Sequence, residues 1–362
     1  MSVYYDRKAL EEFCSSIFTA AGLSPEDAAC SSEIIVEADA RGIGSHGVGR
    51  MQRYVNGLLS GQMAATATDT VLSETANTVS VDANGGMGFP VSCRTMQTVI
   101  DKAEQHGMAL GCVRNSNHFG IAGHYAMMAL EHDMIGLAMT NTAALGVPTF
   151  GRKPMFGTNP VAIAVPAGRK RAFVLDMAST TVTRGKLELY NRLGKELPSG
   201  WAVDASGFPA VDAGQLLNDM LTGKGGLLPL GGFGEKFSGH KGYGLAVLVD
   251  IFCSLLSGAP FGQDVMDTPT TSARVSHCFG AIRISAFRQP DEFKADMDRM
   301  LEALNCTPPS ENADHVRYAG EKEFEAEEEC MRNGVKVDDK AAENLDLLAD
   351  KFQIMKIQGR MK

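Results

Sequence analysis

Apolar residues recur at helical spacing over residues 9–21, and the pattern stops at Gly22-Leu23. Ser24-Pro25-Glu26-Asp27 follows, a capping side chain with proline at the first helical position, and predicts a second helix. A third helix is predicted from Ser45, whose hydroxyl would accept from free backbone N–H groups, and Gly57 to Gly61 close it. On that helix His46, Arg50 and Tyr54 stand at i, i+4 and i+8 and drift only about 40° per step around the axis. From Thr66 the period shortens. Thr78-Val79-Ser80-Val81-Asp82 alternates as a strand, and Asn84-Gly85-Gly86 makes a turn. Helices are predicted over 96–105, 122–131, 181–193 and 242–256, and strands over 109–113, 134–139, 161–165 and 172–175. Residues 278–284 read as the last strand.

After Asp291 the chain returns to charged amphipathic helices through Asp350, and the basic tail 351–362 is expected to be loosely held. There is no internal repeat and no low-complexity linker. The succession helical, mixed, helical predicts an α+β protein in which both chain ends pack together. It would comprise an N-terminal helical segment (residues 1–65), an α+β domain (residues 66–290), and C-terminal helices (residues 291–362) packed with the N-terminal segment.

Composition narrows the class. The 362 residues are 44% hydrophobic and 21% charged, an ordinary globular balance. A net charge of −9 leaves no basic footprint for nucleic acid. The eight cysteines form no C-x-x-C pair, so neither a disulfide framework nor a zinc site is expected, and a cytoplasmic location is. No signal peptide is read at the start, and the apolar run 244–256 is short and holds Asp250, so no membrane span is expected. Glycine supplies 39 residues, gathered near 42–49, 85–88, 223–234 and 239–244, where it serves turns or close approach to a ligand.

Several motifs are missing. Gly232-Phe233-Gly234 and Gly47-Val48-Gly49 each begin G-x-G-x-x-G, but Phe237 and Gln52 replace the third glycine. No phosphate loop, no G-x-S-x-G elbow and no H-E-x-x-H or calcium loop occurs, so metal-independent chemistry is favoured. Four clusters remain. His46, Arg50 and Tyr54 offer a proton carrier, a guanidinium fork and a phenol, suited to a small carboxylate that exchanges a proton at the neighbouring carbon, although a solvated helix face competes. Asn115-Ser116-Asn117-His118-Phe119-Gly120 lies at a strand–helix junction, where ligand-handling groups commonly sit, though a lone loop histidine is often structural. Asp176, after an apolar strand, could orient a histidine, bind a ribose or cap a helix. Gly239-His240-Lys241-Gly242-Tyr243-Gly244 opens an apolar helix and would suit a phosphate or pyrophosphate, or be a plain glycine turn.

In order, Ser45-His46-Gly47, Asn117-His118-Phe119-Gly120, Gly157-Thr158-Asn159-Pro160, Asp176-Met177-Ala178, Arg184-Gly185-Lys186, Gly200-Trp201-Ala202, Lys241-Gly242-Tyr243-Gly244 and Gly320-Glu321 resemble the malate/L-lactate/L-sulfolactate dehydrogenase family. These are NAD(P)-dependent oxidoreductases, with ureidoglycolate dehydrogenase, diketogulonate reductase and cyclic-imine reductases among them. The resemblance runs from about Tyr5 to Asp350. It implies a non-Rossmann, mixed, largely antiparallel sheet in a cofactor domain inserted into a helical domain formed by both chain ends, and a homodimer. It implies proton transfer by His46 or His118, with Ser45 and Asp176 orienting the histidine. Arg50 would grip a substrate carboxylate, and Tyr54 would line the same pocket. Thr142, Asp176, Met177, Ala178, Thr180, His240, Lys241, Gly320, Glu321 and Lys322 would contact NAD, with NADP the alternative. Ala319 stands where the family usually has proline, and Thr181-Val182-Thr183 carries more hydroxyl than expected.

The resemblance thus implies reversible hydride transfer between a nicotinamide and a 2-hydroxy or 2-oxo acid such as malate, lactate or sulfolactate. Reduction of a cyclic imino acid is the alternative within the enzyme class, because the same carboxylate clamp and proton donor serve a C=N bond. A non-catalytic ligand-binding homologue and a metal-dependent hydrolase are more distant alternatives.

Overall fold

The computed structural model describes residues 2–361. Strand β1 (Ser2–Tyr5) leads into α1 (Arg7–Ala20), where Asp6 Oδ1 accepts the Ala9 N–H at 2.9 Å. Helix α2 (Pro25–Ala40) starts as the sequence predicts, with Ser24 Oγ accepting from Asp27 N–H at 3.1 Å and Pro25 at the first position. Helix α3 (Met51–Leu59) begins six residues later than Ser45.

A mixed sheet follows. Its strands are β2 (Thr70–Glu74), β3 (Thr78–Asp82), β4 (Met108–Ser116), β5 (Met134–Thr140), β6 (Val161–Val165) and β7 (Phe173–Met177). Helix α4 (Gly88–His106) joins β3 to β4, and α5 (Ala122–Met128) joins β4 to β5. Beyond β7 the chain makes a small lobe of α6 (Arg184–Arg192), β8 (Ala202–Val203), α7 (Ala213–Met220) and β9 (Gly226–Leu227), with its own core around Leu187, Leu197, Leu216 and Leu227. Helix α8 (Gly239–Asp250) then leads to β10 (Val275–Arg283).

Among the described residues, seven strands lie in the order β2-β3-β4-β10-β5-β6-β7. Only β3 and β4 run parallel, which is the largely antiparallel mixed sheet the sequence implies. The strand expected last in sequence, β10, sits in the middle. It is buried continuously from Val275 to Ala281, as a strand covered on both faces must be. Phe279 packs with Tyr125 of α5 on one side, and Cys278 packs with Val249 of α8 on the other. No helix among the described residues is long and apolar enough to cross a membrane.

The chain ends with α9 (Pro290–Asn305), α10 (Glu321–Asn333), β11 (Val335–Asp338), α11 (Asp339–Phe352) and β12 (Arg360–Met361). Strand β1 pairs antiparallel with both β11 and β12, in the order β11-β1-β12. The tail expected to be loosely held is therefore anchored by pairing of Val3 with Met361 and Tyr4 with Arg360. Two-residue strands carry too little pattern to be read from sequence. One buried cluster joins Leu10, Ile17 and Phe18 of α1, Leu345 and Leu348 of α11, and Phe279 of the sheet.

One buried side chain holds the centre of the sheet. His277 on β10 meets Thr140 Oγ1 through Nδ1 at 2.8 Å and Ser116 Oγ through Nε2 at 2.9 Å. Thr140 donates its hydroxyl proton to the Asn141 and Ser276 carbonyls, so it accepts from Nδ1–H, and Ser116 donates to Nε2. Burial pushes the imidazole down to about 3, which keeps it neutral. Replacing His277 with Ala leaves two buried hydroxyls short of a partner and opens a cavity. The expected loss is roughly 3–5 kcal/mol in urea unfolding; a loss below about 1 kcal/mol would show that the link is dispensable.

Candidate active site

The C-terminal ends of β4 and β5 flank β10, and His277 ties them together, so the segments after Ser116 and Thr140 leave the sheet side by side. Phe119 stacks on the His277 ring at 4.5 Å and 6°. Asn117 Nδ2 donates to the Gly85 and Gly86 carbonyls at 2.9 and 2.7 Å. His118 is thereby held over the sheet edge, at the strand–helix junction the sequence singles out.

Residues 44–50 face it, and they are not one helix. They form two single 3₁₀ turns, Gly44–His46 and Val48–Arg50, broken at Gly47, which is extended. The cause is Asp39, near the end of α2. Its carboxylate accepts the Val48 N–H at 2.7 Å and packs so tightly on Gly47 that a Cβ there would collide with it. Ser45 consequently caps nothing; its Oγ lies 2.8 Å from His46 Nδ1. Arg50 Nε donates to the Ser45 carbonyl. The two imidazoles of His46 and His118 stack at 5.4 Å and 22°. Tyr54, fully buried on α3, places its OH 2.8 Å from His118 Nδ1 and sets its ring edge-on to Phe89. The three side chains converge as the spacing suggested, but a break in the backbone aims them rather than a shared helix face.

His46, His118 and Arg50 line a cavity of about 350 Å³ together with Ser45, Asn141 and Thr142, whereas Tyr54, expected to line the same pocket, is fully buried behind His118 and reaches the cavity only through its hydrogen bond to that ring. Burial, with the Arg50 guanidinium beside it, pushes His46 down to about 4. His118 is held well below its usual range by burial, then by Arg50 and His46. Burial pushes Tyr54 up to about 12. His118 Nδ1 also lies 3.2 Å from the Gly120 N–H, which can only donate. Nδ1 is therefore an acceptor, the Tyr54 hydroxyl donates to it, and the ring proton sits on Nε2.

Arg53, Asn141, Thr158, Arg184 and Arg274 also line the cavity, and the sequence singles out none of them as a site residue. Thr158 and Arg184 lay inside recognised motifs. Arg274 gave no signal, since it sits in an irregular polar stretch.

The remaining expected residues lie elsewhere. Asp176 on β7 touches neither histidine. It accepts the Gly123 N–H at 2.7 Å and lines a second cleft, of about 170 Å³, with Arg41, Gly320 and Glu323. The expectation that Asp176 orients the histidine is thus not met within this chain, because β7 lies at the far edge of the sheet from β4. The concave cleft removes water from the Asp176 carboxyl and pushes it up to about 6, although the side chain keeps an exposed edge. Thr142 does reach the first cavity, and its Oγ1 accepts the Thr158 N–H at 3.0 Å. Ser179 N–H bonds to the Thr158 carbonyl, so the stretch Met177, Ala178 and Thr180 runs beside Thr158, but none of the three lines the cavity. His240 and Lys241 are exposed at the start of α8, which packs on Leu230, itself bonded to the Ser179 carbonyl. Gly320 precedes α10, Lys322 is exposed, and Glu321 accepts from Asn305 and from the Tyr318 N–H.

Comparison with known proteins supplies a family. Residues 5–346 match the model for malate/L-lactate dehydrogenase. Malate dehydrogenase of Pyrococcus abyssi is 39% identical over 94% of this chain and 92% of its own. The malate/(S)-sulfolactate dehydrogenase of Methanothermus fervidus is 34% identical over 93% of this chain and 95% of its own. The crystal structure of malate dehydrogenase from Entamoeba histolytica superposes with a TM-score of 0.94 at 31% identity, covering 98% of this chain and 99% of that one.

The Asp39 clamp has a pH signature. Burial, with Asp338 adding, pushes its carboxyl up to about 7, whereas in the unfolded chain it titrates near 4. Between those values the folded state holds more protons than the unfolded state, so this group's contribution to stability is lost as pH rises from about 4 to about 7. Asp39→Asn should therefore gain stability relative to the native chain between pH 5 and 8 in urea titrations. A difference independent of pH would show that Asp39 is ionised throughout.

Proposed function

Because the chain belongs to the malate/L-lactate dehydrogenase family, we propose that the cavity holding His46, His118 and Arg50 is the site where a 2-hydroxy acid is oxidised, or a 2-oxo acid reduced, against NAD. The observation that carries this reading is the stacked imidazole pair beside a guanidinium that meets no carboxylate among the described residues. The residues fit a nicotinamide dinucleotide. Thr142 and Thr158 border the cavity, and Met177 to Thr180 lie behind them with the start of α8. The Asp176 carboxylate in the second cleft would accept ribose hydroxyls. With Glu323 in the same cleft, it favours NAD over a cofactor carrying a further phosphate. Bound there, the dinucleotide supplies the hydride acceptor or donor.

Each side chain then has a role. Arg50 clamps the substrate carboxylate with its fork and fixes the reacting carbon. His46 is the proton carrier. Burial and Arg50 keep it neutral near pH 7, the state that accepts the hydroxyl proton in oxidation, and a carboxylate on Arg50 relieves the repulsion and raises its affinity for the returning proton. His118 is a fixed neutral donor, because Tyr54 and the Gly120 N–H occupy Nδ1 and leave Nε2–H for the substrate oxygen. Ser45 orients His46.

Leu248, Ile251, Leu255 and Leu256 expose an apolar face along α8 and the turn after it, which supports a homodimer. Eight cysteines without a disulfide suit a reducing compartment, and we assign the cytoplasm.

Glutamine keeps a neutral N–H but cannot carry a proton. His46→Gln should lower kcat by about 10²–10⁴ in NADH-linked reduction of a 2-oxo acid. His118→Gln should cost only roughly tenfold, the value of one hydrogen bond. Equal losses would reverse the division of roles. A panel of oxaloacetate, pyruvate, sulfopyruvate and a cyclic imino acid with NADH and NADPH tests the reaction, and exclusive turnover of the imine would replace it.

A further inference from the structure

Four arginines line the cavity, and their partners differ. Arg53 meets Asp267 at 3.6 Å, and Arg184 meets Glu188 at 3.1 Å. Arg50 and Arg274 meet no carboxylate among the described residues. Arg50 is accounted for by the substrate carboxylate. Arg274 is left over, a half-buried cation whose Nη1 is fully enclosed and has no hydrogen-bond partner.

Its placement is held at some cost. Arg274 has φ +52°, the left-handed region that a long side chain rarely adopts. Its guanidinium lies across Gly85, where any Cβ would collide with it, and Gly85 itself has φ +77°. Gly85 is fixed by its N–H to the Asn115 carbonyl and by Asn117 on its own carbonyl, the same asparagine that precedes His118. The loop carrying Arg274 is stapled to Gln62, beyond the end of α3, through the Ser272 N–H and the Thr268 carbonyl. Ser272 also lines the cavity and has a buried hydroxyl with no partner. A strained backbone, a cation with an unpaired buried nitrogen and an orphaned hydroxyl sit on one loop that lines the cavity, an arrangement that is unfavourable without a partner for those polar groups.

We propose that Arg274, supported by Ser272, is a specificity-determining residue that binds a second anionic group of the substrate. The substrate class is then a 2-hydroxy or 2-oxo acid with a carboxylate or sulfonate at its far end, one anion on Arg50 and the other on Arg274. This rests on the reaction proposed above. It excludes monocarboxylates and neutral rings as preferred substrates, because they would leave Arg274 unpaired.

The test compares oxaloacetate with pyruvate in NADH-linked reduction by the full chain. The native enzyme is expected to favour oxaloacetate by at least about 100-fold in kcat/KM, and Arg274→Met should erase that ratio, mainly through KM for oxaloacetate. Arg274→Lys, which keeps the charge without the fork, should retain part of the preference and serves as the second variant if the methionine chain does not fold. A native preference for pyruvate, an unchanged ratio in Arg274→Met, or a rise in KM for NADH in its place would overturn the proposal. Calorimetric binding of succinate and propionate separates the two readings. Tighter binding of succinate that depends on Arg274, with no 2-oxo acid turned over, keeps the subsite and removes the reaction; turnover of oxaloacetate with equal binding of both acids does the reverse.

Discussion

A neutral imidazole in the middle of a sheet sets the geometry on which the rest of this molecule depends. His277 joins the ends of β4 and β5 through Ser116 and Thr140, and both cavity-forming segments start at those two residues. Phe119, one residue beyond His118, stacks on the same ring. The link holds only while His277 is uncharged, because both of its nitrogens are committed in one tautomer and no anion lies beside it. Its fixed direction turns two strand ends into a rigid platform for His118.

The opposite wall is held by a carboxyl group rather than by a ring. Asp39 takes the Val48 N–H and crowds Gly47, which breaks what would otherwise be a helix and turns His46 toward His118. Between the walls, proton affinities are set by burial and by the cation Arg50. Both imidazoles of the cavity, His46 and His118, are held neutral, yet they are not equivalent. Nδ1 of His118 is filled by donors, whereas Nδ1 of His46 faces a serine hydroxyl that can reverse its direction. Identical residue types thus acquire different chemistry from their second hydrogen-bond partner. Arg50 and Arg274 are left without carboxylates among the described residues, in a cavity where Arg53 and Arg184 have them.

Much of this was legible along the chain. The caps Asp6 and Ser24 start helices where their side chains say they should. The apolar runs of β4, β5, β6 and β10 are strands, because runs of that length and composition have few other places to be buried. His118 sits at the junction its neighbours mark. The misreadings share one cause, since each turns on a contact between residues far apart in sequence. Ser45 looks like a helix cap until Asp39 occupies Val48. The tail looks loose until β1 offers it an edge. Asp176 looks like a partner for a histidine until β7 is found at the sheet's far edge.

By itself the sequence determined most of the long helices and strands, the absence of a dinucleotide fingerprint, and the family to which its ordered motifs point. Those properties are local or additive, and a pattern of residues carries them whole. Only the tertiary structure decided that β10 is central, that His118 carries its proton on Nε2, and that Arg274 is a cation without a counter-charge in the cavity. Strand order, tautomer and unpaired charge are each defined by a neighbour, and the chain acquires those neighbours only when it folds.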